Sequence, residues 1–372
     1  MISMLLLAPM VMIGVNAWWD GGHMRTAAVA TAYLESWNNG TALGPILEVL
    51  EGPDGMTSYT GLWHDIIDSS IWMDFLKCSF PAPYCASGEL KVVPNIQMFG
   101  NWHYNSACKP VNYYPSQAAS CAGSDREDFG VMLNRMGALI SEFKDVVDPQ
   151  NAAIRIRLLS HLLGDLHQPM HSLSGTDSNH PAGDVGGNNR RFNNSRGTPC
   201  AVFGNLHALW DAGGDVAAND LNWKPSAYES EQKDSLLAYG REVVANGSSL
   251  PDPFHFERLD TATFAEGVAM LTGDYGLLAQ VNAYMADFAV SNAYRNGIEL
   301  NPKVPGGILP CPSQTYLDMA YTKSQEFIGL GGYRMAKVFA FLSRQMVAKG
   351  VAGGTAPTPM AISGDEVVHS DF

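Results

Sequence analysis

The chain has 372 residues, 46% of them hydrophobic and 16% charged, the balance of an ordinary folded protein with a substantial core rather than of a disordered or membrane-embedded one. Its 37 acidic residues outweigh 23 basic ones and leave a formal charge of −14. That balance excludes a broad basic surface for polyanions, so any nucleic-acid site must obtain its positive field locally, for instance from bound cations.

Residues 1–17, MISMLLLAPMVMIGVNA, are an apolar run shorter than the roughly 20 residues that span a bilayer. The run closes on Val15-Asn16-Ala17, a small-residue cleavage pattern, and reads as a signal peptide, although the usual positive charge at its start is missing. Cleavage after Ala17 leaves Trp18 as the first residue and no transmembrane anchor in the mature chain. From there apolar positions recur at helical spacing in Met24 to Trp37, Phe129 to Val147, Ile154 to Leu166, Phe264 to Leu271, Leu277 to Phe288 and Tyr333 to Val347. The expectation is an all-α fold, one mainly helical domain over 18–349. Ser124 with Glu127 is a capping box for the second helix, Pro149 lies just past its end, and Pro169 stops the third. Two long irregular stretches, Lys77 to Pro115 and Ser172 to Pro199, interrupt the helices; loops of that length are usually functional or pinned by disulfides. Residues 350–372 mix Gly, Pro, Ser and acids without apolar periodicity and read as a disordered tail.

The cysteines Cys78, Cys85, Cys108, Cys121, Cys200 and Cys311 form an even set, which in an exported chain indicates disulfides. Pairing by proximity joins Cys78 to Cys85, Cys108 to Cys121 and Cys200 to Cys311, one of about 15 connectivities that six cysteines allow. Sequons at Asn39, Asn193 and Asn246 fit an exported glycoprotein, secreted or held in the secretory or vacuolar pathway.

The densest chemistry is HLLGDLHQPMH, from His161 to His171. Residues four apart share a helix face, so His161 and Asp165 present an imidazole and a carboxylate together, and His207 with Asp211 in NLHALWD repeats the spacing. A single such pair is usually a surface ion pair. Repeated in Leu-rich helices, with His171 beyond the proline, the pairs are costly to bury unless they bind a metal, and a His/Asp set suits zinc.

HLLGDLHQPMH, the GGN at Gly186-Gly187-Asn188, NLHALWD and the start with Trp18 and Gly22-His23 together resemble the P-one/S-one nuclease family, secreted trinuclear-zinc nucleases specific for single strands that also act as 3'-nucleotidases. The resemblance implies a fold of the phospholipase C/P-one nuclease type and three Zn2+ per chain. One ion would use Asp65, His103, His161 and Asp165. A second would use His171, His207 and Asp211, and the third His23, Asp165 as a bridging carboxylate, and the free amine and carbonyl of Trp18. That last set requires leader cleavage; Trp19 competes for first place, but the family's step from Trp to His selects Trp18. Asp65, in LWHDIID, matches the family's WAD element with His64 in place of Ala, and His103 matches the histidine of its WHF/WHY element, across a long insertion.

The implied chemistry is hydrolysis of phosphodiesters in single-stranded DNA and RNA to 5'-phosphate products, and of 3'-nucleotides, by hydroxide formed between zincs bridged by Asp165, with Asp65 and Asp165 as the catalytic carboxylates. Tyr104 matches the family's base-stacking aromatic. No protein partner is implied. The family usually carries Arg or Lys three residues after the WAD aspartate, where this reading finds Asp68, with Lys77, Lys109 or Arg126 as substitutes; Asn105-Ser106 stand where an acid commonly follows the HY element. The competing readings are a zinc phospholipase C and a relative with impaired catalysis, the latter suggested by Asp68.

Overall fold

The computed structural model describes residues 18, 20–52, 64–76, 96–105, 107–111, 131–177, 179–193, 198, 200, 203–213, 230–246, 252–295, 298 and 308–353. The leader, the capping box at Ser124, and Cys78, Cys85 and Cys121 lie outside them. Helices α1 (Asp20–Ser36) and α2 (Leu43–Glu51) precede the short α3 (Ile66–Ser69) and α4 (Trp72–Leu76), a 3-10 segment Ile96–His103 and strand β1 (Ala107–Pro110). Then come α5 (Met132–Ser141), α6 (Pro149–Asp165), the 3-10 turn Pro169–His171, strand β2 (Leu173–Thr176) and α7 (Leu206–Asp211). Helices α8 (Ser230–Asn246), α9 (Phe264–Leu271), α10 (Leu277–Phe288) and the 35-residue α11 (Gln314–Ala348) complete the order. The fold is all-α, and none of the described helices is long and apolar enough to cross a membrane.

Helix α1 is the axis of the molecule. It is buried continuously from Ala27 to Leu34 and packs against α11, α8, α3 and α6. Small residues make such a surrounded helix possible, because they let neighbouring backbones approach. A Cβ added at Gly332 of α11 would meet the Val29 side chain at 2.5 Å, and one at Gly164 of α6 would meet His23 Nδ1 at 2.6 Å.

Helix α6 has a local reason for each boundary. Asp148 caps it by accepting from Asn151 N at 2.8 Å, Pro149 takes the first helical position, and Gln168-Pro169 closes the exit. Pro149 thus opens α6. The helix expected from Phe129 to Val147 is described from Met132 to Ser141 and tightens into a 3-10 turn at Glu142–Lys144, which turns Phe143 and Val146 into the core and leaves Val147 exposed.

The two irregular stretches meet one another. From the first, β1 pairs in parallel with β2 of the second, Ala107 opposite Leu173, which brings the segment ending at His103 beside His171. Cys200 and Cys311 are bonded with a Cα–Cα distance of 5.7 Å. Cys108 is also disulfide-bonded. After α11, Val351 and Ala352 are buried and Gly353 N donates to Glu48 at 2.8 Å, so packed chain continues four residues into the segment expected as a tail, through Gly353.

Candidate metal centre

Asp165, at the last turn of α6, is wholly buried among imidazoles. Its Oδ1 lies 3.3 Å from His23 Nε2, and its Oδ2 lies 3.0 Å from His103 Nδ1 and 3.3 Å from His161 Nε2. Asp74 Oδ1 stands 3.8 Å from both His103 Nδ1 and His161 Nε2. A second group joins His207 Nε2 to Asp211 Oδ2 at 3.3 Å and His171 Nε2 to Asp211 Oδ1 at 3.8 Å. The groups adjoin, since His171 Nδ1 is 3.5 Å from Asp165 Oδ1.

Backbone carbonyls set the rings. His161 Nδ1 lies 2.6 Å from Ser70 O, His171 Nδ1 2.6 Å from His103 O, and His207 Nδ1 2.7 Å from Gly186 O. Each carbonyl can only accept, so each ring carries its proton on Nδ1 and offers the Nε2 lone pair inward. Burial first, and then the neighbouring His161, hold the His23 imidazole below its ordinary range against the opposing pull of Asp165. A neutral ring is the form that ligates. Among the described residues neither nitrogen of His23 makes a well-formed hydrogen bond, Nε2 having only Asp165 Oδ1 at 3.3 Å.

These residues fit metal ions. Nitrogen or oxygen ligands about 2.0–2.1 Å from a tetrahedral ion stand about 3.3 Å from one another. The separations here run from 2.9 Å, His161 Nε2 to His103 Nδ1, to 3.8 Å. Among the described residues three sets have their ligand atoms within 4.8 Å of one another: His23, His161 and Asp165; Asp74, His103 and His161; His171, His207 and Asp211. Without a cation, so many buried imidazoles and carboxylates would be costly.

The remaining residues named from the sequence fall as follows. Trp18 is fully buried, with its indole Nε1 donating to Gly164 O at 3.0 Å, next to Asp165; Trp19 lies outside the described residues. Tyr104 is partly buried beside His103, its hydroxyl 3.2 Å from Asn101 Oδ1. Lys109 pairs with the exposed Asp287 at 2.6 Å, while Lys77 and Arg126 lie outside the described residues. Asn105 N donates to His171 O at 2.7 Å, tying the two histidine segments. Asn193 and Asn246 are exposed.

Asp65 is not brought into the cluster. Its Oδ1 caps α3, accepting from Ile67 N at 2.8 Å and Asp68 N at 3.0 Å, and its Oδ2 pairs with Lys233 of α8. Asp68 completes the capping box by accepting from Asp65 N at 3.0 Å, so its carboxylate is occupied in closing the helix start. The aspartate beside His103 and His161 is Asp74, which stands in a second W-x-D element, Trp72-Met73-Asp74, with Lys77 three residues on. That element and its lysine were the available signal.

Sequence reasoning also missed the supports. Gln168 Nε2 donates to Asp211 Oδ1 while its Oε1 accepts from Met170 N, which locks the turn that carries His171. Gly186 and Gly187 have φ of +59° and +84°, and a Cβ on Gly186 would meet Met170 O at 2.6 Å, so only glycine lets this carbonyl reach His207. The preceding Val185 has φ +57°, a left-handed conformation that costs a branched residue about 1–2 kcal/mol. Beneath it the buried Asp184 accepts from Gly175 N at 2.8 Å, Gly187 N at 3.0 Å and Tyr294 Oη at 3.1 Å, and pairs with Arg190.

Adjoining buried His/Asp groups in an all-α fold define a protein with donor sets able to hold metal ions. A profile of the S1/P1 nuclease family matches residues 18–342. The chain belongs to that family, and so to a group of nuclease-type phosphodiesterases with metal-binding sites. No curated protein matches it.

Proposed function

We propose that the chain is a zinc-dependent endonuclease that cleaves single-stranded DNA and RNA to 5'-phosphate products and removes the phosphate of 3'-nucleotides. The observation that carries this reading is Asp165, whose two oxygens face His23 on one side and His103 with His161 on the other, beside the His171–His207–Asp211 group. The donor set of imidazole nitrogens and carboxylate oxygens suits zinc. When bound, zinc supplies Lewis acidity toward a phosphate oxygen and a water acidic enough to ionise near neutral pH.

The chain's residues then divide as follows. Asp74, His103, His161 and Asp165 form one ligand set, with Asp74 in the place expected for Asp65. His171, His207 and Asp211 form a second, and His23, Asp165 and the main chain of Trp18 a third, three Zn2+ in all. The Trp18 indole, hydrogen-bonded to Gly164 O, holds the start of the chain beside Asp165 and supports this set. The amine of Trp18 is free to bind only once a leader ending at Ala17 has been removed, in keeping with a secreted or vacuolar protein. Tyr104 offers an aromatic face for an unstacked base. Lys77, three residues past Asp74, takes the position of the phosphate-neutralising base; with Asp68 assigned to the α3 cap, impaired catalysis loses its support.

The test is hydrolysis of single-stranded DNA, RNA and 3'-AMP compared with phosphatidylcholine, with and without a chelator. Nucleic acids and 3'-AMP should be cleaved and the chelator should abolish cleavage. Hydrolysis of the lipid alone would overturn the proposal.

A further inference from the structure

His167 lies between residues that serve the metal centre but spends both of its ring nitrogens elsewhere. Asp165 is two positions before it, and Gln168, which follows it, donates to Asp211 and braces the turn to His171. The imidazole is fully buried, with Nδ1 2.8 Å from Leu163 O of α6 and Nε2 2.9 Å from Arg334 Nη1 of α11. A carbonyl only accepts and a guanidinium only donates, so one neutral tautomer satisfies both partners. Arg334 is itself fixed. It donates from Nε and Nη2 to Asp252 Oδ1 at 3.0 and 2.8 Å, and its guanidinium lies 4.9 Å from the centre of the Phe254 ring. Both side chains of this ion pair are buried. Gly331, one turn before Arg334, lets α11 approach, because a Cβ there would meet His167 Cγ at 3.1 Å. The main chain around His167 is equally tight, with His167 N donating to Gly164 O and Gln168 N to Asp165 O, both at 3.0 Å. A shift of the His167 ring therefore moves Asp165 on one side and Gln168, with Asp211 and His171, on the other.

We infer that Arg334 is a positioning residue for the metal centre: held by Asp252, it clamps His167 and so sets the turn from Asp165 to His171, which feeds both ligand groups. This rests on reading the His/Asp groups as zinc ligands and is independent of the substrate. Groups that orient ligands from behind are worth about 10–100-fold in metal affinity. Here that support comes from α11, far along the chain from the turn it steadies.

The test measures the zinc affinity of the folded protein against a chromophoric chelator, and the visible spectrum of the cobalt-substituted protein. H167M fills the space but makes neither bond, whereas H167Q keeps a donor for Leu163 O and an acceptor for Arg334. R334M/D252N removes the ion pair whole, so that no buried charge is left alone. H167M and R334M/D252N should each bind zinc about 10–100-fold more weakly and alter the cobalt spectrum, and H167Q should recover both. With every variant confirmed folded by circular dichroism, a loss of stability alone moves neither reading. Wild-type affinity and spectrum in R334M/D252N would overturn the role of Arg334, whatever its urea midpoint. Should that variant not fold, H167M with wild-type affinity, or H167Q no better than H167M, would overturn the clamp. A wild-type protein that takes up no zinc would overturn the metal reading and this inference with it. None of these measurements needs a nucleic acid, so their outcome is separate from that of the nuclease assay.

Discussion

His161 and His167 leave the end of the same helix and are put to opposite uses. His161 sets Nδ1 on Ser70 O and turns Nε2 into the cluster. His167 sets Nδ1 on Leu163 O at 2.8 Å and turns Nε2 to Arg334 Nη1 at 2.9 Å, where burial and that cation push its pKa down to about 3. In HLLGDLHQPMH the cluster of donors was legible, and so was the separation of His161 from His171 by the proline; the partner of His167 was not, because Arg334 comes from a distant element. The same is true of the two W-x-D elements. Asp65 lies where a short helix begins and its carboxylate is consumed by capping, while Asp74 lies in a helix facing His103. We expect D74N to lower metal affinity about 10–100-fold, read by elemental analysis after dialysis. D65A should retain metal but lose about 0.5–2 kcal/mol in urea denaturation as the cap is removed. Asp177 predicts an acid limb. Burial pulls its carboxyl up, but His180 and the Arg190 charge outweigh burial and hold it well below the usual carboxylate range. With the folded pKa depressed, its contribution is fully present above the unfolded pKa of about 3.9. It should disappear as the pH falls from there toward the folded value. Urea midpoints between neutral pH and pH 3, taken in chelator so that metal release plays no part, should fall less steeply for D177N than for the wild type.

At the scale of elements, α9 and α10 have the bounds their apolar periodicity predicts, because each buries one face. Helix α8 shows only a short apolar face, Leu236, Leu237, Val243 and Val244 around Gly240, and at Gly240 it comes against the backbone of Ala28. Helix α11 begins well before the periodic stretch at Tyr333, since its middle packs through Gly331 on His167 and through Gly332 on Val29. Glycine costs helix propensity and lies outside any apolar count, so the sequence pattern lost sight of the helix where it packs most tightly. We predict that G332A destabilises the protein by about 1–3 kcal/mol in urea despite the better helix propensity of alanine. An equal or higher midpoint would mean that α1 and α11 can separate at little cost. The β1–β2 pairing was hidden for a different reason: each strand is four residues long and the partners are far apart in sequence, so neither shows alternation.

At the scale of the molecule, the proposed ligands come from α1, α4, the segment ending at His103, α6, the turn at His171 and α7. Metal binding then ties together elements that only the folded chain brings close, so chelation should lower the urea midpoint as well as remove activity. The Cys200–Cys311 bond acts over a sequence separation of 111 and fixes the chain near the Phe192–Leu309 bridge. The double variant C200S/C311S should lose about 2–4 kcal/mol, with metal content unchanged when measured on the folded protein.

The same bond has a topological consequence. His207 and Asp211 lie inside the loop it closes, and the other proposed ligands lie outside. A single proteolytic cut between Cys200 and Cys311 opens the chain without dividing the molecule, and both parts of the ligand set stay tethered. Such a nicked form should run as one species on a non-reducing gel and as fragments once a reductant is added, so a protease can score the chain without releasing any piece of its metal centre.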